Sequence, residues 1–258
     1  MANFTIHSAA LNRQTGLLRS LLSQDPSLRD SQDADGRTAL HWAASSGSLE
    51  IVRYLLDQKA QVDVPDQSGW TPLHIAVSAG HEDIVRELVG AGSDIKKTND
   101  KGLTPLHYAA SKSRVDIGKL LVARGADINA RDKANQTPLH RAATTGSTGF
   151  IKLLLEPPEG SPKTRLNTGD RVGNTPLHLA MESAHAEAAC LLIEAGADRS
   201  RENVDGQTPE DVEGVGGLEQ RRAKDNFVRR ESQKHDNENY SHVLKSTLDT
   251  DGEVKIEQ

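Results

Sequence analysis

Thr104-Pro105-Leu106-His107 decides how this chain folds, because it is one of a registered series. Thr71-Pro72-Leu73-His74 lies 33 positions before it, and Thr137-Pro138-Leu139-His140 lies 33 after. Thr38-Ala39-Leu40-His41 comes earlier still. Thr175-Pro176-Leu177-His178 follows after a step of 38, and Thr208-Pro209 resumes the step of 33. Six registered copies at this interval mean a stacked array, in which each unit buries its apolar face against its neighbours.

The unit can be read from its residues. Threonine is a good helix N-cap, and proline is favoured at the first helical position, where its missing N–H costs nothing. Thr71-Pro72 therefore starts a short helix running to about Ala79, and Gly80 ends it. Ile84, Val85, Leu88 and Val89 form one apolar stripe of a second helix. Ala91-Gly92-Ser93-Asp94-Ile95 then turns the chain out. A polar turn such as Asp66-Gln67-Ser68-Gly69 or Asn99-Asp100-Lys101-Gly102 precedes the next threonine. The alanine pairs Ala43-Ala44, Ala109-Ala110 and Ala142-Ala143 let paired helices approach closely.

These features resemble the ankyrin repeat family, whose pattern is Gly-x-Thr-Pro-Leu-His-x-Ala-Ala. The resemblance covers roughly residues 3–213. It implies an all-α solenoid of about seven helix-turn-helix repeats with β-hairpin fingers, and a concave face built from the fingers and each first helix. Residues 1–218 are expected to form the repeat domain. Within it, residues 1–34 read as a diverged first repeat, and Val212, Val215 and Leu218 as a partial last one. Glu156-Pro157-Pro158-Glu159-Gly160-Ser161-Pro162 accounts for the longer step and reads as a loop on the edge opposite the fingers. Residues 219–258 read as a charged, largely disordered tail, with a helical start over 219–231.

Composition narrows the function. The formal net charge is −6, with twelve Asp/Glu against eight Lys/Arg in residues 210–258. Nothing marks the chain as a nucleic-acid binder or a membrane binder. The single cysteine, Cys190, suits a reducing compartment. The start of the sequence lacks the basic and apolar regions of a signal peptide. A monomeric protein of the cytoplasm and nucleus is expected.

Ten histidines invite a metal or catalytic reading. However, His41, His74, His107, His140 and His178 occupy equivalent places in successive repeats. Packed helices lie about 8–10 Å apart, too far for two repeats to share a zinc ion at about 2 Å. These histidines read instead as hydrogen-bonding groups that tie one repeat to the next turn. No phosphate-binding glycine loop is present. The chain reads as no enzyme, with no cofactor and no metal site.

A repeat stack works by presenting a long, stiff concave surface. The informative residues are those that vary where the fold does not need them to. Arg37 and Trp70 stand at the finger tips; Trp42, Ile75, Tyr108 and Arg141 follow the histidines; Ser45, Ser78, Ser111 and Lys112 follow the alanine position. Trp, Tyr and Arg dominate interface hot spots. An aromatic centre with flanking cations suggests a partner presenting acidic side chains beside an apolar anchor. The competing reading for Trp42 and Ile75 is packing between repeats, and for Arg37 and Lys112 ordinary solvated charge.

At these residues the likeness narrows. Gly36-Arg37-Thr38-Ala39-Leu40-His41-Trp42, Gly69-Trp70-Thr71-Pro72-Leu73-His74-Ile75 and Thr104-Pro105-Leu106-His107-Tyr108 through Lys112 resemble the gankyrin-type ankyrin chaperones of the 26S proteasome. That resemblance implies an assembly chaperone of the 19S regulatory particle. Its concave face would grip the C-terminal domain of a proteasomal ATPase subunit of the base, with Arg37 and Lys112 facing acidic residues. The alternative is a generic ankyrin adaptor, or an inhibitor of another protein such as a kinase.

Overall fold

In the computed structural model residues 5–212 are described. They form six consecutive helix pairs: α1 (Ile6–Leu11) and α2 (Thr15–Gln24); α3 (Ala39–Ser46) and α4 (Leu49–Asp57); α5 (Pro72–Ala79) and α6 (Glu82–Gly90). They continue with α7 (Pro105–Ser111) and α8 (Val115–Ala123); α9 (Pro138–Thr144) and α10 (Thr148–Leu155); α11 (Pro176–Glu182) and α12 (Ala186–Glu194). First helices pack on first helices (α1 on α3, α3 on α5, and on to α11), and second helices do the same from α2 to α12. The chain is thus a two-layer stack in which each unit leans on its neighbours.

The core follows the repeat. Leu40, Leu73, Leu106, Leu139 and Leu177 are all sealed, as are the alanine pairs beside them. The largest buried side chain, Phe150 of α10, lies against Gly118 of α8, where an added Cβ would come within 2.5 Å of its ring. Small and large residues are matched across that contact.

The fingers differ in form from the β-hairpins expected. Among the described residues no strand is present. Each finger is a turn closed by backbone bonds such as Asp66 N–H to Trp70 O at 2.7 Å and Gly69 N–H to Asp66 O at 2.9 Å. Between backbones, neighbouring fingers are linked by single bonds, Gln67 N–H to Asp35 O and Asp100 N–H to Ser68 O. One backbone bond per pair of fingers is too few to make a ladder.

Residues 156–166 join the end of α10 to the fifth finger, and Asn129, just after α8, binds them at Lys163 O and Arg165 N–H. The seventh repeat's Val215 and Leu218, and the tail, lie outside the described residues; Val212 is buried against the stack. In the first repeat Thr5 keeps the capping role, exchanging hydrogen bonds with Ser8 in place of a histidine.

The five repeat histidines are the main polar contents of the core. Each is at the third helical position, and its Nδ1 accepts the N–H of the capping threonine, at 3.0–3.3 Å. A backbone N–H can only donate, so Nδ1 carries no proton and the hydrogen sits on Nε2. Nε2–H then donates to a finger carbonyl of the next unit. His41 reaches Trp70 O at 3.0 Å, His74 reaches Leu103 O at 3.1 Å, and His107 reaches Gln136 O at 3.1 Å. His140 reaches Asn174 O at 3.2 Å, and His178 reaches Gln207 O at 3.1 Å.

Burial lowers the pKa of all five, to about 4 for His74 and His140. The native state therefore binds fewer protons than the unfolded chain once pH drops below about 6.5, the unperturbed histidine value. Stability from these groups is complete above that pH and is lost as pH falls toward 4. His74 and His140 should each contribute a slope of about 1.4 kcal/mol per pH unit in that window. Urea unfolding midpoints measured from pH 7.5 to 4.5 should be flat above 6.5 and fall steadily below it. A flat profile down to pH 5 would refute neutral, bridging histidines.

Candidate partner-binding face

Each finger is held by one acidic or amide side chain. Asp33 Oδ1 accepts the N–H groups of Asp35 and Arg37 at 3.0 and 2.8 Å. Asp66 and Asn99 hold their fingers in the same way, as do Asp132, Asp170 and Asn203. The other polar atom of that side chain remains free to meet a residue of the concave face.

There the partners change from unit to unit, with donor matched to acceptor. Trp42 donates its indole N–H to Asp33 Oδ2 at 2.7 Å. Arg141 donates Nη2–H to Asp132 Oδ2. Asn99, an amide, donates Nδ2–H to the Tyr108 hydroxyl at 2.8 Å. Trp42, Tyr108 and Arg141 each stand nine positions after the finger residue they meet. Ile75 holds that place in the second full unit and has nothing to donate. Asp66 is bound instead by Arg37 of the preceding unit, Nε–H to Oδ2 at 3.1 Å.

Arg37 and Arg141 are therefore not free solvated cations. Asp66 and Asp132 have side chains only 3% and 2% exposed, and a buried carboxylate needs a counter-charge. Arg37 also lies over the Trp42 ring, its Cζ 5.1 Å from the centroid. Burial would raise the Asp33 pKa, but the N–H groups of Arg37 and Asp35 and the Trp42 indole hold it below its usual value.

Trp70 packs against Tyr108, with ring centroids 4.3 Å apart and planes tilted by 45°. Burial raises the Tyr108 pKa, so the phenol stays protonated. Beside this pair runs an open groove of about 380 Å³ lined by Arg37, Ser45, Trp70, Ile75, Ser78 and Lys112, with Ala79 and Arg114. Six of the residues expected at the site thus meet in one place. Trp42 and Tyr108 extend the same face through their contacts with Arg37 and Trp70. Ser111 is half-buried outside the groove, and Arg141 stands one unit further along, against Asp132. Lys112 is exposed and forms no ion pair among the described residues.

Arg114 was not expected at the site. It donates to Ala79 O at 3.2 Å, across the turn after α5. Gly80 makes that possible, with φ of +85° and a missing Cβ that would stand 2.5 Å from the guanidinium carbon. The available signal was a basic residue 33 positions after His81, which caps the preceding turn at Ser45 O in the same way.

Models of ankyrin repeats in three copies match residues 6–99 and 119–203, and a model of many copies matches residues 93–142. The chain belongs to the ankyrin repeat family. The human ASB11 ankyrin repeat domain in its crystal structure superposes with a TM-score of 0.73 and 26% identity, over 83% of this chain and 93% of that one. The probable 26S proteasome regulatory subunit p28 of Saccharomyces cerevisiae is 38% identical over 64 residues, 25% of this chain and 28% of the relative. The human 26S proteasome non-ATPase regulatory subunit 10 is 42% identical over 65 residues, 25% of this chain and 27% of the relative. Inversin-B of Xenopus laevis is 51% identical over 47 residues, 18% of this chain and 5% of the relative. The matched stretch spans about a quarter of the length of the two proteasomal relatives. An ankyrin stack is a protein-binding scaffold. Among the described residues no cluster suited to a metal is present, and no helix is long and apolar enough to cross a membrane.

The pairing around Asp66 separates two groups of variants. Arg37→Glu removes the counter-charge of a buried carboxylate and should cost about 2 kcal/mol of stability. Lys112→Glu should leave thermal unfolding unchanged, because the ammonium is exposed and unpaired among the described residues. Equal melting temperatures for the two variants would overturn the assignment of Arg37 to Asp66.

Proposed function

We propose that this chain binds the C-terminal domain of one proteasomal ATPase on its concave face and acts as an assembly chaperone of the 19S regulatory particle. The groove between Arg37 and Arg114 carries this reading. It combines a close, tilted aromatic pair, an apolar floor at Ile75 and the ammonium of Lys112, which is unpaired among the described residues. That surface suits an apolar anchor flanked by carboxylates. The short matches to the yeast and human proteasomal subunits support the same direction. Action by occlusion follows from size, since a rigid stack covering one face of an ATPase domain keeps other partners off it. The proposed location is the cytoplasm and nucleus, and the proposed state is a monomer.

A second reading has its own support. The likeness to the ASB11 ankyrin domain runs over most of the chain, while the proteasomal matches cover a quarter of it. A general ankyrin adaptor or inhibitor with another client would use the same groove.

Calorimetry of the full chain against the C-terminal domains of the six proteasomal ATPases separates the two. One-to-one binding to a single domain is expected, weakened at least about tenfold by Lys112→Glu or Trp70→Ala. Binding to none of the six would sink the proteasomal reading and leave the adaptor.

A further inference from the structure

The dipeptide Ser/Thr-Pro occurs six times in this sequence, at Thr71, Thr104, Thr137, Ser161, Thr175 and Thr208. Five of these are repeat threonines that open a unit, and the fold occupies them. Thr71, Thr104, Thr137 and Thr175 are buried, with Oγ1 against the Nδ1 of a repeat histidine at 2.8–2.9 Å. Thr208 donates its hydroxyl to Asp211 Oδ2 at 2.6 Å. Ser161 is the exception. Its hydroxyl has no hydrogen-bond partner among the described residues, and Ser161, itself half-buried, sits in the insertion among exposed Pro158, Glu159, Gly160, Pro162 and Lys163.

We propose that Ser161 is a phosphorylation site for a proline-directed serine/threonine protein kinase. Such enzymes take the acceptor residue in an extended strand. A proline at the next position fits because it brings no N–H that would need a partner. Pro162 also biases Ser161 toward extended backbone before any enzyme arrives. The segment has little to give up on binding. Its local structure is one turn, Ser161 N–H to Pro158 O at 3.0 Å, with Gly160 at φ +82°. Beyond the site the chain is clamped again, because Asn129 accepts from Arg165 N–H and donates to Lys163 O. A kinase can therefore lift the loop without opening a helix pair.

The reaction is phosphoryl transfer from magnesium-bound ATP. The Ser161 Oγ–P bond forms, the bond from Pγ to the bridging oxygen breaks, ADP leaves, and the hydroxyl proton passes to the kinase's base. The product adds about −1.5 to −2 charge at pH 7. Lys163 lines the same hollow of about 530 Å³ and can pair with it, while Glu156 and Glu159 oppose it. The loop shares no lining residue with the Trp70 groove, so the modification marks a second surface and does not switch the first.

The test incubates the full chain with a purified proline-directed kinase and magnesium ATP, and maps the product by tandem mass spectrometry. One phosphoryl group on Ser161 is expected. Ser161→Ala should abolish it, and Pro162→Ala should slow it about tenfold or more, the discrimination one pocket contact gives. Circular dichroism should be unchanged in both, since neither side chain is in the core. No incorporation, or incorporation that survives Ser161→Ala, would overturn the proposal.

Discussion

The array depends on one buried polar contact repeated down its length. A histidine ring accepts the N–H of its own capping threonine on one side and donates to the next unit's finger on the other. The first bond completes a helix cap, with histidine in the role glutamate more often plays. The second bond fixes the next finger relative to the present helix. Both nitrogens are satisfied only in the neutral ring with its hydrogen on Nε2, so the contact sets protonation state and geometry together. Leucine and alanine packing supplies most of the burial, but leucine is indifferent to register. The histidine bridge is directional, and it makes a pile of similar helix pairs stack in one way.

Much of this is legible in the sequence because it recurs. The 33-residue step, the Thr-Pro cap, Gly80 as the stop of α5 and the bridging role of the histidines all follow from residues whose purpose is the same in every unit. What the sequence obscured is what differs between units. Trp42, Arg37, Tyr108 and Arg141 look like surface variation, free to serve a partner. In the structure each has one atom on a finger's acidic or amide side chain, and its type follows from whether that residue accepts or donates. The relation spans nine positions in three cases and 29 in the fourth, so no single spacing reveals it. The hairpin form of the fingers was misread for a related reason. It depends on how neighbouring turns meet, and few residues decide that.

The insertion shows how local the constraints are. Five surplus residues are absorbed between α10 and the next finger, and register is recovered at once by Asn129 gripping Lys163 and Arg165. Lengthening a surface connection costs little, since closure entropy grows only with the logarithm of its length. A stack held by nearest-neighbour contacts has no reason to resist such a change, provided the His140 bridge to Asn174 is still made, as it is.

The same contacts that secure the fingers also order the side chains of the proposed binding face. Ordering long side chains at an interface costs about 0.5–1.5 kcal/mol each. Arg37 and Trp42 are already fixed, by Asp66 and Asp33 and by each other, and Trp70 is held by its tilted ring contact with Tyr108. A partner meets a surface whose aromatic groups need little further ordering. Lys112 forms no ion pair among the described residues, so its charge is left out of these fold contacts. If this face binds as proposed, stability and recognition are coupled at Arg37, Trp42 and Arg141, where losing a finger contact loosens the surface as well, and separable at Lys112.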